Sequence, residues 1–174
     1  MRVLKFALLW AALLSVAHAE EAVPSLDVAS NGFILISAML VLLMSIPGIG
    51  LFYGGLVRAK NVLSTMEQCL AIFSIAIVLW CILGYSFAFG PTDGFLGSFF
   101  GGFGKTLLLG IGVDSLSGSL SEYTWVIFQG AFCAISSCLI VGAMVERIKF
   151  QSLLFAVGVW ILLSYAPLAH QVWG

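Results

Sequence analysis

The segment from Trp125 to Arg147 carries a row of aromatic side chains within an apolar stretch that has no charge before Glu146. At about 100° per residue, Trp125, Phe128 and Phe132 fall at i, i+3 and i+7 and form one stripe of a helix. The face of an aromatic ring attracts a cation, and the attraction grows where water is excluded. The chemistry that this stripe predicts is therefore cation binding.

Trp173 lies at the far end of the last apolar run. If its helix neighbours the stripe, Phe128, Phe132 and Trp173 converge on one vestibule above apolar walls. Such a vestibule suits a small cation that sheds a proton and continues as a neutral molecule. The alternative is that Trp173 belongs to the aromatic belt of a membrane and the phenylalanines face lipid. Spacing alone favours that alternative.

Small residues lie on the opposite side of the same segment, at Gly130, Ala134 and Ser137. They let a second membrane helix approach closely. Gly50 and Gly54 form a similar G-x-x-x-G face earlier in the chain, where we also expect tight packing. Nearby Pro47 removes a backbone hydrogen bond and should kink its helix.

No enzyme constellation is present. After the leader described below, His170 is the only histidine, with Ser164 and Tyr165 in nearby turns but no acid beside it in sequence. A single histidine at a membrane end is more often a satisfied residue than a catalytic one. The glycines at 101–104 follow no predicted strand, so they do not predict a phosphate loop. We expect no cofactor, and no His/Cys cluster has metal-ligand spacing.

The four cysteines all fall in apolar runs. An even count in an exported chain suggests disulfides. Thiols packed within helices behave instead as small hydrophobic groups, and we favour that interpretation. The residues are Cys69, Cys81, Cys133 and Cys138.

The composition is that of an integral membrane protein. Of 174 residues, 61% are hydrophobic and 9% are charged, whereas a soluble domain has about 25% charged residues. The net charge of -1 and the lack of a basic cluster argue against a nucleic-acid partner. The lipid bilayer is the partner that this composition predicts.

Residues 1–19 have the pattern of a secretory signal peptide. Arg2 and Lys5 form a positive start, a short apolar core follows, and Ala17-His18-Ala19 is a small-x-small cleavage site. The alternative is a first membrane helix, but the run is too short to cross comfortably. Cleavage after Ala19 would leave the mature N-terminus outside the cytoplasm.

Four apolar runs are long enough to span a membrane, at about 32–53, 62–89, 124–145 and 150–172. They predict an all-α polytopic membrane helix bundle. The two short basic loops, with Arg58/Lys60 and Arg147/Lys149, belong inside by the positive-inside rule. An outside N-terminus and four spans place both loops there independently, with the glycine-rich connection at 90–122 and Trp173 outside.

Two charges stand apart from these loops. Glu67 lies near the start of the second span, where a charge is costly and often functional. We favour the alternative that it reaches water or a base such as Arg58 or Lys60. Lys105 is the only base of the connection, which also holds three acids, namely Asp93, Asp114 and Glu122.

Four motifs in order resemble the ammonium transporter (Amt/Mep/Rh) family, over the whole chain after the leader. They are IPGIGLFYGGLVRAKNVLS at 46–64, FQGAF at 128–132, VGAMVER at 141–147 and PLAHQVWG at 167–174. The resemblance implies a homotrimer whose subunits are bundles of about eleven helices with inverted repeats, each with its own pore. The cleavable signal predicts that the membrane is the inner membrane. Bacterial members often bind a PII-type signal protein on the cytoplasmic face.

The family's outer recruitment site for ammonium is lined by aromatic rings, and Phe128, Phe132 and Trp173 match that motif. Phe132 also matches one of the two phenylalanines that gate the pore. The resemblance therefore reverses the preference drawn from spacing and favours a cation site. It implies transport of ammonium or ammonia through a hydrophobic pore after deprotonation.

The sequence departs from the family at several points. The acid and serine that complete the recruitment site, the second gate phenylalanine and both pore histidines have no match, and His170 is neither of those histidines. Glu67 stands where an uncharged residue is expected. We expect residues 20–174 to be the N-terminal part of a transporter, a truncated ammonium-transporter-like bundle. The alternatives are an ammonium sensor of the same family and a non-conducting fragment.

Overall fold

A computed structural model describes residues 25–91 and 95–174. Four helices in it are long and apolar enough to cross a membrane, which confirms the predicted all-α bundle. They are α1 (Val28–Leu56), α2 (Ala59–Phe89), α3 (Glu122–Met144) and α4 (Phe150–Trp173). The signal peptide predicted for residues 1–19 lies outside the described residues.

Helix α1 begins four residues before the predicted start, because Asp27 caps it. The Asp27 carboxylate accepts hydrogen bonds from the backbone N–H of Ala29 at 3.0 Å and the hydroxyl of Ser30 at 2.6 Å. The bond from Ala29 satisfies a backbone donor that the first turn of a helix leaves free. The bond from the Ser30 hydroxyl contributes most to lowering the pKa of Asp27 below its usual value.

Three of the four helices contain a π-helical turn. In α1 it covers Met44–Ile49 and includes Pro47, so the structure has a wider turn at the residue where a kink is predicted. The turn in α2 covers Trp80–Gly84, and the turn in α4 covers Ile161–Tyr165. The last two turns place Trp80 and Tyr165 face to edge, with ring centroids 6.2 Å apart.

Helix α3 lies at the centre and packs most extensively on α2 and α1. Its small face is the contact surface: Gly130, Ala134 and Ser137 are buried. A Cβ on Gly130 would come within 2.9 Å of the Trp80 ring, whose indole N–H donates to the carbonyl oxygen of Val126 at 3.1 Å. The close approach predicted from the small residues is therefore seen between α2 and α3.

Glycine also permits close contacts of α1. Gly54 is buried where α1 turns into α2, and a Cβ there would lie 3.4 Å from the side chain of Val62. A Cβ on Gly142 of α3 would overlap the ring of Tyr53, whose hydroxyl donates to the carbonyl oxygen of Leu139 at 3.0 Å. These contacts fix α1 against α2 and α3.

The bundle has two chemically different ends. At the loop end, defined by residues 57–61 and 145–149, the Asn61 amide donates to Glu146 Oε1 at 2.6 Å. This contact places both basic loops on the same side. The hydrogen bond from Asn61, followed by Arg58 and Lys60, lowers the pKa of the exposed Glu146 carboxyl.

The connection end, defined by residues 90–121 and the helix ends beside them, is covered by irregular chain. Strands β1 (Leu116–Ser117) and β2 (Leu120–Ser121) form a small antiparallel hairpin. The backbone N–H of Asp27 donates to Ser119 O at 2.9 Å, so the start of α1 lies at this end. Two short 3-10 turns, at Phe95–Ser98 and Thr106–Leu108, complete the described part of the connection.

Candidate functional site

Phe128 and Phe132 form a perpendicular ring pair on α3. Their centroids are 5.0 Å apart and their planes meet at 82°. Trp125 extends the stripe, with its ring 6.1 Å from that of Phe128. All three side chains are half-buried, so part of each ring remains accessible. The structure therefore brings two of the three predicted site residues into direct contact.

The stripe continues across the bundle through Phe89, the last residue of α2. The Phe89 ring lies 5.8 Å from Trp125, 6.3 Å from Trp80 and 5.3 Å from Tyr85. Sequence reasoning missed Phe89. The available signal was an aromatic residue directly before Gly90-Pro91, at the boundary of an apolar run.

Trp173, the third predicted site residue, lies at the mouth of a cavity of about 400 Å³ at the connection end. Its side chain is 53% exposed. The cavity is lined by Phe89, Gly90, Pro91, Lys105, His170, Trp173 and Gly174. Within the described residues no ring contact joins Trp173 to Phe128 or Phe132, and Phe89 is the ring that borders both regions.

His170 is held by backbone groups, which confirms the interpretation of a satisfied residue. Its Nδ1 lies 2.9 Å from the carbonyl oxygen of Ala88, and its Nε2 lies 2.8 Å from that of Gly97. A neutral imidazole donates from one of these nitrogens, and the charged ring donates from both. The side chain thus ties α4 to the end of α2 and to the connection.

Lys105 forms an ion pair with Glu122, one of the three acids that the sequence offers in the connection. Its Nζ lies 2.5 Å from Glu122 Oε1, and the same oxygen accepts a hydrogen bond from the Tyr85 hydroxyl at 3.0 Å. The Lys105 ammonium also lies over the Tyr85 ring, 5.6 Å from its centroid. Sequence alone left the partner of Lys105 open.

Glu67 lies on the exposed surface of α2. Of the two outcomes that the sequence suggested, pairing with Arg58 or Lys60 is not seen. Among the described residues the ion pair is that of Lys105 with Glu122, and the charges of Arg58 and Lys60 act on Glu146.

The four cysteines carry free thiols. Cys69, Cys133 and Cys138 are buried, and the thiol of Cys138 contacts the carbonyl oxygen of Cys69 at 3.6 Å. Among the residues that the structure describes, no group of three His, Cys, Asp or Glu side chains could hold a metal ion. The remaining candidate chemistry is that of rings and of one partly buried ion pair.

The Ammonium Transporter Family model matches residues 32–174. This chain belongs to the ammonium transporter family. The ammonium transporter of Bacillus subtilis is 38% identical over 144 residues, which cover 82% of this chain and 34% of the relative. The ammonium transporter of Aquifex aeolicus is 35% identical, over 92% of this chain and 37% of the relative.

The fold agrees with solved structures of the family. The crystal structure of Candida albicans Mep2 matches with a TM-score of 0.75 and 30% identity, over 86% of this chain and 32% of that chain. Saccharomyces cerevisiae Mep2 matches with a TM-score of 0.74. The chain spans about a third of the length of the relatives it matches.

Proposed function

We propose that this chain supplies the outer ammonium-recruiting part of a transporter that passes ammonium or ammonia across the membrane. The observation that carries the proposal is the half-buried, perpendicular pair of Phe128 and Phe132, 5.0 Å apart, at positions that match the family's aromatic site. The relatives are named as transporters, so we develop transport rather than sensing.

In the proposed site, the ring faces of Phe128 and Phe132 bind NH4+ by cation–π attraction. A cation–π contact contributes about 0.5–2 kcal/mol, with the larger value where the ion loses water. Two half-buried rings leave little room for a hydration shell, and so they favour a small cation. We further propose that the pore beyond this pair passes neutral NH3 after a proton is released, because an apolar environment disfavours the charged ion.

Trp173 lies apart from the pair of Phe128 and Phe132. Its exposed ring stands at the mouth of the cavity, where an incoming cation is first met. Phe89 borders that cavity and lies 5.8 Å from Trp125, so rings line the way from Trp173 to Phe128. We propose that Trp173 and Phe128 bind the ion at successive positions, or close on one ion when it enters.

We also propose an orientation of the bundle in the membrane and an oligomeric state. The connection end faces outward and the loop end faces the cytoplasm, since Arg58, Lys60, Arg147 and Lys149 all lie in the short loops. Cleavage after Ala19 leaves the N-terminus outside, and residues 20–174 form the N-terminal part of the transporter domain. We further propose a homotrimer in the inner membrane, with the loop end available to a PII-type protein.

Ammonium-evoked current in proteoliposomes of the full-length gene product tests the proposal. Phe132→Ala and Trp173→Ala should each lower the current at limiting ammonium by about tenfold, the loss of one cation–π contact of about 1.4 kcal/mol. Phe155→Ala is the matched control, because Phe155 is 75% exposed in α4 and lines neither the cavity nor the aromatic stripe. Unchanged current in both site variants contradicts the proposed recruitment site.

A further inference from the structure

The Lys105 ammonium lies in a small cation site made by other residues. Glu122 Oε1 lies 2.5 Å from it, and the Tyr85 ring lies below it at 5.6 Å. The Tyr85 hydroxyl donates to the same Glu122 oxygen at 3.0 Å and orients it. A carboxylate beside a ring face is an acceptor set that suits an ammonium group, which donates to the carboxylate and lies over the ring.

The elements that form this site are fixed by their own contacts. Glu122 is in the first turn of α3, where free backbone N–H groups stabilise a carboxylate, and its side chain is 8% exposed. Tyr85 is fully buried in α2. The backbone N–H of Lys105 donates to the Ser86 hydroxyl at 3.1 Å, and that hydroxyl donates to Gly102 O at 2.6 Å. Of the three side chains, only the flexible side chain of Lys105 can move out of the site without unfolding the connection end.

This site borders the aromatic cavity. Lys105 lines the cavity together with Phe89 and Trp173, and the Tyr85 ring lies 5.3 Å from that of Phe89. A unit charge at this mouth acts on any cation that enters. With both partners present, the charges of Lys105 and Glu122 cancel, so the mouth carries no net charge from this pair.

We propose that Glu122 and Tyr85 form a second site for a primary ammonium group, which Lys105 fills, and that this pairing sets the cation affinity of the aromatic cavity. The effect on the cavity rests on the proposed function. The existence of the second site does not, because it is built from residues outside the Phe128–Phe132 pair. Free ammonium and methylammonium are the ligands that this site takes when the Lys105 side chain is absent.

The test is equilibrium binding of radiolabelled methylammonium to the purified full-length gene product in detergent. Lys105→Met keeps the length of the stem and removes the charge, so one additional equivalent should bind per chain. Glu122→Gln leaves Lys105 unpaired at the mouth and should weaken binding at the cavity about fivefold. The double variant should lack the additional equivalent and bind about as wild type does.

Controls separate a binding role from a purely structural one. Lys60→Met removes an exposed lysine at the loop end and should leave binding unchanged. Lys105→Arg keeps the ion pair and should bind one equivalent, as wild type does. If either main variant fails to accumulate, Lys105→Ala takes the place of Lys105→Met and Glu122→Ala that of Glu122→Gln, with the same expected stoichiometries.

The outcomes are distinct. An additional equivalent in Lys105→Met that Glu122→Gln removes supports the second site. The same stoichiometry in wild type, Lys105→Met and the double variant overturns it, and the pair is then only a tether for the connection. If wild type binds nothing while Lys105→Met binds one equivalent, the second site stands and the proposed recruitment site fails.

Discussion

The connection end and the loop end of the bundle differ in the burial of their charged side chains. At the connection end, Glu122 is buried beside Lys105 and Tyr85, and His170 reaches two backbone carbonyl oxygens. At the loop end, Arg58, Lys60 and Glu146 are all exposed. The Glu146 carboxylate joins the two loops by accepting a hydrogen bond of 2.6 Å from Asn61 and another from the Arg58 backbone.

This difference indicates where each kind of chemistry can occur. A charge that is removed from water acts more strongly on a nearby small ion than an exposed charge does, since water screens it less. Exposed charges are screened within about a Debye length and suit broad contacts with lipid headgroups or a protein surface. The proposed binding of a small cation therefore fits the connection end, and the proposed association with a protein fits the loop end.

The largest expected effect is at a glycine of the connection end. A Cβ on Gly101 would overlap the carbonyl oxygens of Ser86 and Phe87, and backbone atoms cannot move aside as a side chain can. Gly101→Ala should lower the free energy of unfolding by about 1–3 kcal/mol, as measured by denaturant titration in micelles. Gly104→Ala is the control, because its Cβ would meet the Pro91 ring at an ordinary 3.6 Å. Equal stability of the two variants would show that Gly101 does not pack closely on the backbone of α2.

His170 gives the next largest effect. His170→Ala removes both contacts, at 2.9 Å to Ala88 O and 2.8 Å to Gly97 O, and leaves these acceptors without that partner. The free energy of unfolding should fall by about 1–2 kcal/mol. Gln171→Ala, at an exposed neighbouring position, should be nearly neutral. A neutral His170→Ala variant would mean that the connection end is not tied together through α4.

The smallest effect is expected at the loop end and depends on pH. The Asn61 amide is the main cause of the lowered pKa of Glu146. A lowered carboxyl pKa stabilises the fold above the ordinary value of 4.5, and this contribution is lost as the pH falls through the lowered pKa. In Asn61→Ala the pKa of Glu146 should rise towards its ordinary value, as followed by carboxyl NMR titration. An unchanged pKa of Glu146 in Asn61→Ala would show that the hydrogen bond from Asn61 to Glu146 does not form in solution.

Much of the fold follows from local patterns in the sequence. Apolar runs predicted the four helices, and small residues at helical spacing predicted the face of α3 that packs on Trp80. The contact of Phe128 with Phe132 also follows from spacing, because residues four apart meet on one side of a helix.

The contacts of the connection could not be predicted in this way. The segment between Lys105 and Glu122 is irregular, so no helical or strand periodicity predicts that these two residues meet. Three acids of the connection could have paired with the lysine. The carbonyl partners of His170 carry no signal in sequence, since every residue has a carbonyl group. The link of Trp173 to α3 through Phe89 depends on how α4 meets α2, which spacing along one helix does not encode.

A crystal structure of the full-length gene product soaked in methylammonium tests the central claim most directly. The account predicts density for the cation within about 6 Å of the ring faces of Phe128 and Phe132, at the connection end, and loss of that density in Phe132→Ala. Density at the loop end alone, or density that persists unchanged in Phe132→Ala, would contradict the account.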